Sequence, residues 1–179
     1  SDNPLINKLV SYYPMAKGAG GILNNGASSN NGVMDNATWI NNSKVGDYSL
    51  SFDGAKSFVD IGTTLSSPDS WTVAAWVKPK DPSVSDRPNE QEIVSFGDDG
   101  DTPRTMVVCR DTDGESSDVK FTIFADDGTN EDVSPGTTES FDIQNWYHVA
   151  FVRSNDNWKV YVNGDEKASL TASVNDTIN

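Results

Sequence analysis

Trp146-Tyr147-His148-Val149-Ala150-Phe151-Val152-Arg153-Ser154-Asn155-Asp156-Asn157-Trp158-Lys159-Val160-Tyr161-Val162-Asn163-Gly164 is the stretch that decides the fold. Trp146, His148, Ala150 and Val152 alternate with Tyr147, Val149 and Phe151, and Trp158 to Val162 alternates in the same way. A period of two with β-branched and aromatic residues is the mark of a strand with one face toward a core. Asn163-Gly164 supplies the pair of positive φ angles that a type I′ turn requires. Two strands joined by an Asn-Gly turn are expected here.

Working outward, Trp71 to Val77 is the strongest internal strand. Trp71, Val73, Ala75 and Val77 lie on one face, with Thr72, Ala74 and Trp76 on the other; both faces are largely apolar, as in a strand covered on each side. Glu92 to Phe96, Thr105 to Cys109 and Val119 to Phe124 follow as strands. Earlier, Leu9 to Met15 reads as a strand that Pro14 confines to an edge or an end. Lys17 to Asn36, rich in Gly, Asn and Ser, reads as a long loop. Tyr48 to Phe52 is expected to turn at Asp53-Gly54 and pair with Phe58 to Ile61. No amphipathic helix is evident. Many short strands with recurrent turns point to an all-β, two-sheet antiparallel sandwich or jelly roll, one domain over residues 1–179.

Composition narrows the partners. The net charge is −14 and the pI about 4.2, with Lys and Arg scattered. Nucleic acid is excluded as a partner, because phosphate neutralisation needs clustered cations, and an anionic membrane would be repelled. No apolar stretch is long enough for membrane insertion. Ser1-Asp2-Asn3-Pro4 has neither Met nor a charged-then-apolar leader, as in a processed or engineered start. Cys109 has no partner for an internal disulfide and reads as a buried structural thiol.

Several segments together resemble the laminin-G-like, concanavalin A-like lectin/glucanase jelly rolls. They are Leu9-Val-Ser-Tyr-Tyr-Pro-Met15, Lys44 to Gly54 with its Leu50-Ser51-Phe52-Asp53-Gly54 end, Trp71-Thr-Val-Ala-Ala-Trp-Val-Lys-Pro79, Trp146-Tyr-His-Val-Ala150 and Lys159-Val-Tyr-Val-Asn-Gly164, in the family's order. The resemblance implies a lectin-like binding or adhesion module, secreted or displayed on a cell or virion surface. It also implies a further strand, often Gly-x-Ile-Asp-Glu-Val, that returns to the core. Nothing after Gly164 matches that strand, and Asp165 to Asn179 is polar. A neighbouring chain is therefore expected to complete an open sheet edge.

Catalytic residues are not expected. Glycan-cleaving relatives carry an E-x-D-x-x-E strand whose carboxylates must flank the scissile bond. Here only Glu90 and Glu92 come close, without a third acid, and they read as a solvated strand end. His148, the single histidine, reads as packed in the core rather than as part of a Ser-His-Asp triad. One His and one Cys do not make a zinc set. Calcium suits the chain better: Asp98, Asp99, Asp101, Asp111 and Asp113 lie in Gly-containing loops and offer hard oxygen ligands, the alternative being plain turn residues. For a polysaccharide or surface glycan, Trp39 in its Asn-rich loop and Trp158 beside Asn155 and Asn157 are the expected contacts; Trp71, Trp76 and Trp146 read as core. The rival reading is a structural subunit, such as a capsid-decoration or fibre protein, that uses the sandwich for packing.

Overall fold

The computed structural model describes residues 9–62, 69–81, 90–96, 104–110, 118–126 and 134–173. All regular elements among them are strands, and every strand pairing is antiparallel. The chain divides into two compact units, residues 1–63 and 64–179.

The first unit holds β1 (Ile22–Leu23), β2 (Gly32–Asp35), β3 (Thr38–Ile40), β4 (Ser49–Ser51) and β5 (Phe58–Asp60). They form a sheet of order β1-β2-β5 and a separate β3-β4 pair. Leu9 to Met15 forms no strand, and Met15 has a positive φ of 54°. The expected loop from Lys17 to Asn36 contains two strands. Its turn is organised by Asn25, whose Oδ1 accepts from the backbone N–H of Tyr12 and Ala27 while its amide donates to Asn30 O. The expected hairpin between Tyr48–Phe52 and Phe58–Ile61 is not made: β4 pairs with β3 and β5 with β2. Asp53 explains the change. Its Oδ1 accepts from the N–H groups of Ala55, Lys56 and Ser57 and from the Ser57 hydroxyl, which builds a wide local turn. Gly18 permits a close approach, because a Cβ there would lie 2.4 Å from the nearest atom of the Tyr48 ring.

The second unit is the sandwich. Its strands are β6 (Ser70–Val77), β7 (Glu90–Phe96), β8 (Arg104–Arg110), β9 (Asp118–Asp126), β10 (Phe141–Asp142), β11 (Tyr147–Ser154), β12 (Asn157–Val162) and β13 (Asp165–Thr171). One sheet runs β10-β9-β8-β7 and the other β13-β12-β11-β6. Val107, Cys109, Phe121 and Ile123 of the first meet Val149, Phe151, Trp158 and Val160 of the second in one buried cluster. Each such side chain removed from water contributes roughly 1.5–3 kcal/mol. Burial at Cys109 pushes its thiol pKa up to about 12, since a thiolate there would be desolvated.

The deciding stretch forms β11 and β12, with one correction. The turn between them is at Asn155-Asp156, where Asn155 takes a φ of 51°. Asn163 and Gly164, at φ of 53° and 92°, lead instead from β12 into β13. Asn163 also binds back to β11, accepting from His148 N–H at 3.0 Å through Oδ1. The polar segment after Gly164 is thus a strand, with a bulge where the register shifts between Val160 and Tyr161.

Candidate functional site

The alternation that sends Val149, Phe151, Trp158 and Val160 inward sends another set to the outer face of the β13-β12-β11-β6 sheet. Register places Trp76 beside His148, Ala74 beside Ala150 and then Tyr161, and Thr72 beside Val152 and then Lys159. The Trp76 and His148 rings meet edge to face at 5.3 Å between centroids. Trp76 is 39% exposed. This corrects the expectation that Trp76 is core. Only the Trp71, Val73 and Val77 face of β6 packs against the buried cluster. His148 is likewise half-buried on this outer face rather than inside the core.

On β6 and β11, the methyl groups of Ala74 and Ala150 lie between the ring pair and the Thr72–Val152 row. The floor is therefore low, and the span from residue 76 to residue 72 along β6 is about 13 Å. A polar row closes one flank. Glu166 Oε2 accepts from Lys159 Nζ at 2.8 Å and from the Tyr161 hydroxyl at 3.3 Å. The hydrogen bond and charge of Glu166 raise the Lys159 pKa, and the same bond holds the Glu166 carboxyl below the usual range. An aromatic plate, a low apolar floor and fixed polar groups suit a ligand with one apolar face and hydroxyl edges.

The residues expected from sequence are placed differently. Trp158 is fully buried; its ring lies against Trp71 at 6.1 Å and under the Arg153 guanidinium at 4.4 Å, and its indole N–H donates to Ala172 O. It presents no face to a ligand, so its position after an Asn-rich turn misled. Asn155 lies in the turn and Asn157 opens β12: Asn155 O accepts from Arg153 Nε, and Asn157 Oδ1 accepts from the Thr171 hydroxyl. Trp39, in the first unit, is half-buried, with its indole N–H donated to Gly20 O at 2.8 Å and its ring edge-on to Tyr48. Glu90 forms an ion pair with Arg110 at 3.6 Å. Asp98, Asp99, Asp101, Asp111 and Asp113 lie outside the described residues. Among the described residues no group of three or more His, Cys, Asp or Glu side chains is arranged to hold a metal ion. No described helix is long and apolar enough to cross a membrane.

The Trp76 face was missed because two apolar faces on one strand look doubly covered. The available signal was polarity: only the Thr72, Ala74 and Trp76 face carries a hydroxyl side chain, at Thr72.

Comparison with known proteins gives a family match. Residues 53–179 match the family described as the concanavalin A-like lectin/glucanases superfamily. No curated protein matches the chain. Among solved structures, the chain is similar to an S-layer domain-containing protein (residues 221–444) from Clostridium thermocellum. The identity is 23%, with 93% of this chain and 75% of that chain covered, at a TM-score of 0.49.

Proposed function

We propose, for a chain that belongs to the concanavalin A-like lectin/glucanases superfamily, a non-catalytic carbohydrate-binding role exercised outside the cell or at its surface. The observation that carries this reading is the half-open Trp76 ring set beside His148 over the Ala74–Ala150 floor. A pyranose laid on the indole would bury its C–H face there, with hydroxyls in reach of Lys159, Tyr161 and Glu166. One principal aromatic plate suits weak, millimolar-class binding of a single sugar ring, and repeated display would raise it through avidity. Calcium on the carboxylates of Asp98, Asp99, Asp101, Asp111 and Asp113 is an accompanying proposal, resting on the ligand chemistry of short carboxylates.

The test is a glycan array followed by calorimetry on the best ligand, comparing the native chain with Trp76→Ala and Trp39→Ala. Binding should fall at least tenfold in Trp76→Ala, with the β-sheet signature in circular dichroism retained. Loss in Trp39→Ala alone would move the site to the first unit, and no binding to any glycan would sink the reading. For calcium, the melting temperature should rise with Ca²⁺ and fall back with EDTA; an unchanged value counts against it.

A further inference from the structure

Asn-Gly is the dipeptide in which a backbone nitrogen most readily attacks the preceding side chain, because glycine has no Cβ to shield that nitrogen. The chain has three such pairs, Asn25-Gly26, Asn31-Gly32 and Asn163-Gly164. The reaction needs a free glycine N–H, a side-chain nitrogen able to leave and room to turn. Two of the pairs lack these. Gly26 N–H donates to Tyr12 O at 2.7 Å, and the side-chain nitrogen of Asn25 is held by Ser11 Oγ, Ser28 Oγ and Asn30 O at 3.0–3.1 Å. Gly32 is buried in the ladder of β2 with β1, and a Cβ there would lie 2.6 Å from Val59. Met34 N–H donates to Gly21 O, so the antiparallel alternation gives Gly32 N–H to Leu23. Asn163-Gly164 differs on each count. Both residues are exposed, in the two-residue turn from β12 to β13. A Cβ at Gly164 would meet nothing within 4 Å, and among the described residues no backbone group accepts from its N–H. Asn163 Oδ1, meanwhile, accepts from His148 N–H at 3.0 Å.

We propose that Asn163 is the site of spontaneous deamidation in this chain, a covalent change whose only co-reactant is water. Gly164 N gives up its proton to hydroxide and bonds to Asn163 Cγ. Negative charge moves onto Oδ1, where the His148 N–H stabilises it as an oxyanion donor does. The Cγ–Nδ2 bond then breaks, and the nitrogen takes up a proton and leaves as ammonia, which completes a cyclic succinimide. Water opens the ring on either side. Opening at Cγ leaves aspartate; opening at the backbone carbonyl leaves isoaspartate, whose main chain runs through the former side chain. Nothing is oxidised or reduced. Attack requires the turn to loosen, and an exposed hairpin end opens locally without global unfolding. The two products act differently on the fold. Aspartate keeps an acceptor for His148 N–H and adds a negative charge at the end of the Trp76–His148 row. Isoaspartate lengthens the main chain of a two-residue turn, so the φ angles of 53° and 92° are no longer kept. It thereby releases both bonds to His148, the second being Asn163 N–H to His148 O at 2.8 Å. The inference is independent of the carbohydrate reading, because it concerns the chemistry of the turn itself.

The experiment is prolonged incubation of the 179-residue chain in mildly alkaline buffer made with heavy-oxygen water, followed by peptide mapping in a mass spectrometer. Label enters only where a succinimide opens during the incubation, and enzymatic methylation of isoaspartate reports the second product. In the folded chain, position 163 should gain label at least tenfold faster than Asn25 or Asn31. In urea the three pairs should react at similar rates, because the hydrogen bonds that separate them are gone. Asn163→Gln, whose longer side chain disfavours ring closure, should abolish labelling at that position and leave the other two unchanged. Gly164→Ala should slow it several-fold in both folded and unfolded chains, since a methyl group then shields the nitrogen. Labelling of Asn25 or Asn31 as fast as Asn163 in the folded chain overturns the proposal. So does an unlabelled position 163, or the same ranking in urea, which would assign the preference to sequence rather than to the fold. Circular dichroism of each variant separates a blocked reaction from an altered fold.

Discussion

Two tryptophans on one sheet, on β6 and β12 with β11 between, carry opposite consequences, because one alternation buries Trp158 and opens Trp76. Trp158→Ala should cost about 3–5 kcal/mol in a urea titration, the range for emptying a fully packed aromatic site. Trp76→Ala should cost less, about 1–3 kcal/mol, because 39% of the residue is already exposed. Cys109 sets an alkaline limit. Its folded pKa is raised above the ordinary value of 9.0 to about 12, so the unfolded chain ionises first. The stability this thiol confers is complete below about pH 9 and is lost as pH rises toward 12, at up to ~1.4 kcal/mol per pH unit. Cys109→Val should flatten that part of the stability–pH profile. Asp53 works in the other direction: its hydrogen bonds from Ser57, Ala55 and Lys56 lower its pKa. Its contribution is present above the ordinary carboxylate pKa and disappears as acid protonates the folded form. Asp53→Asn should narrow the difference between melting temperatures at neutral and acid pH. At this scale the buried role of Cys109 was legible from alternation with Val107. The roles of Trp76 and Trp158 were not, because alternation shows that two faces differ without showing which one meets the second sheet.

Among elements, what could be read was what is local. β11 and β12 announce themselves by period two, and Asn163-Gly164 by its turn chemistry, although that turn leads to β13 and the preceding one is at Asn155-Asp156. Gly164 sits at a φ of 92°, so Gly164→Ala should cost about 1 kcal/mol or more, read as a lower denaturation midpoint with unchanged slope. What stayed hidden depends on partners distant in sequence. Thr38 pairs with Ser51 and Met34 with Val59, matches no local pattern contains. β13 was hidden for a different reason: its outward half is polar because it is an edge, and polarity reads as loop. The same polarity, with Lys167 at the bulge, is how an edge is kept from promiscuous pairing.

For the molecule as a whole, the acidic balance acts on association more than on fold. With a net charge of −14 on each copy, two copies repel at long range, and salt screens that repulsion within roughly 10 Å at 0.1 M. Any self-association should therefore strengthen as NaCl rises, whereas an interface held by opposite charges would weaken; sedimentation at low and high salt separates the two. The all-β class and, over residues 53–179, the family were legible because several local motifs occur in order. The division into two units was not, since no composition break marks residue 63. The geometry of the β13 edge has a last consequence for how large an assembly can grow. An edge that joined its own copy would be used up by the act, leaving no β13 for a third molecule. Had β13 instead suited β6, the other edge of that sheet among the described residues, every addition would expose a fresh edge and the chain would polymerise without end. Whether an edge such as β13 meets its like or a different edge is thus what would separate a closed pair from an open filament.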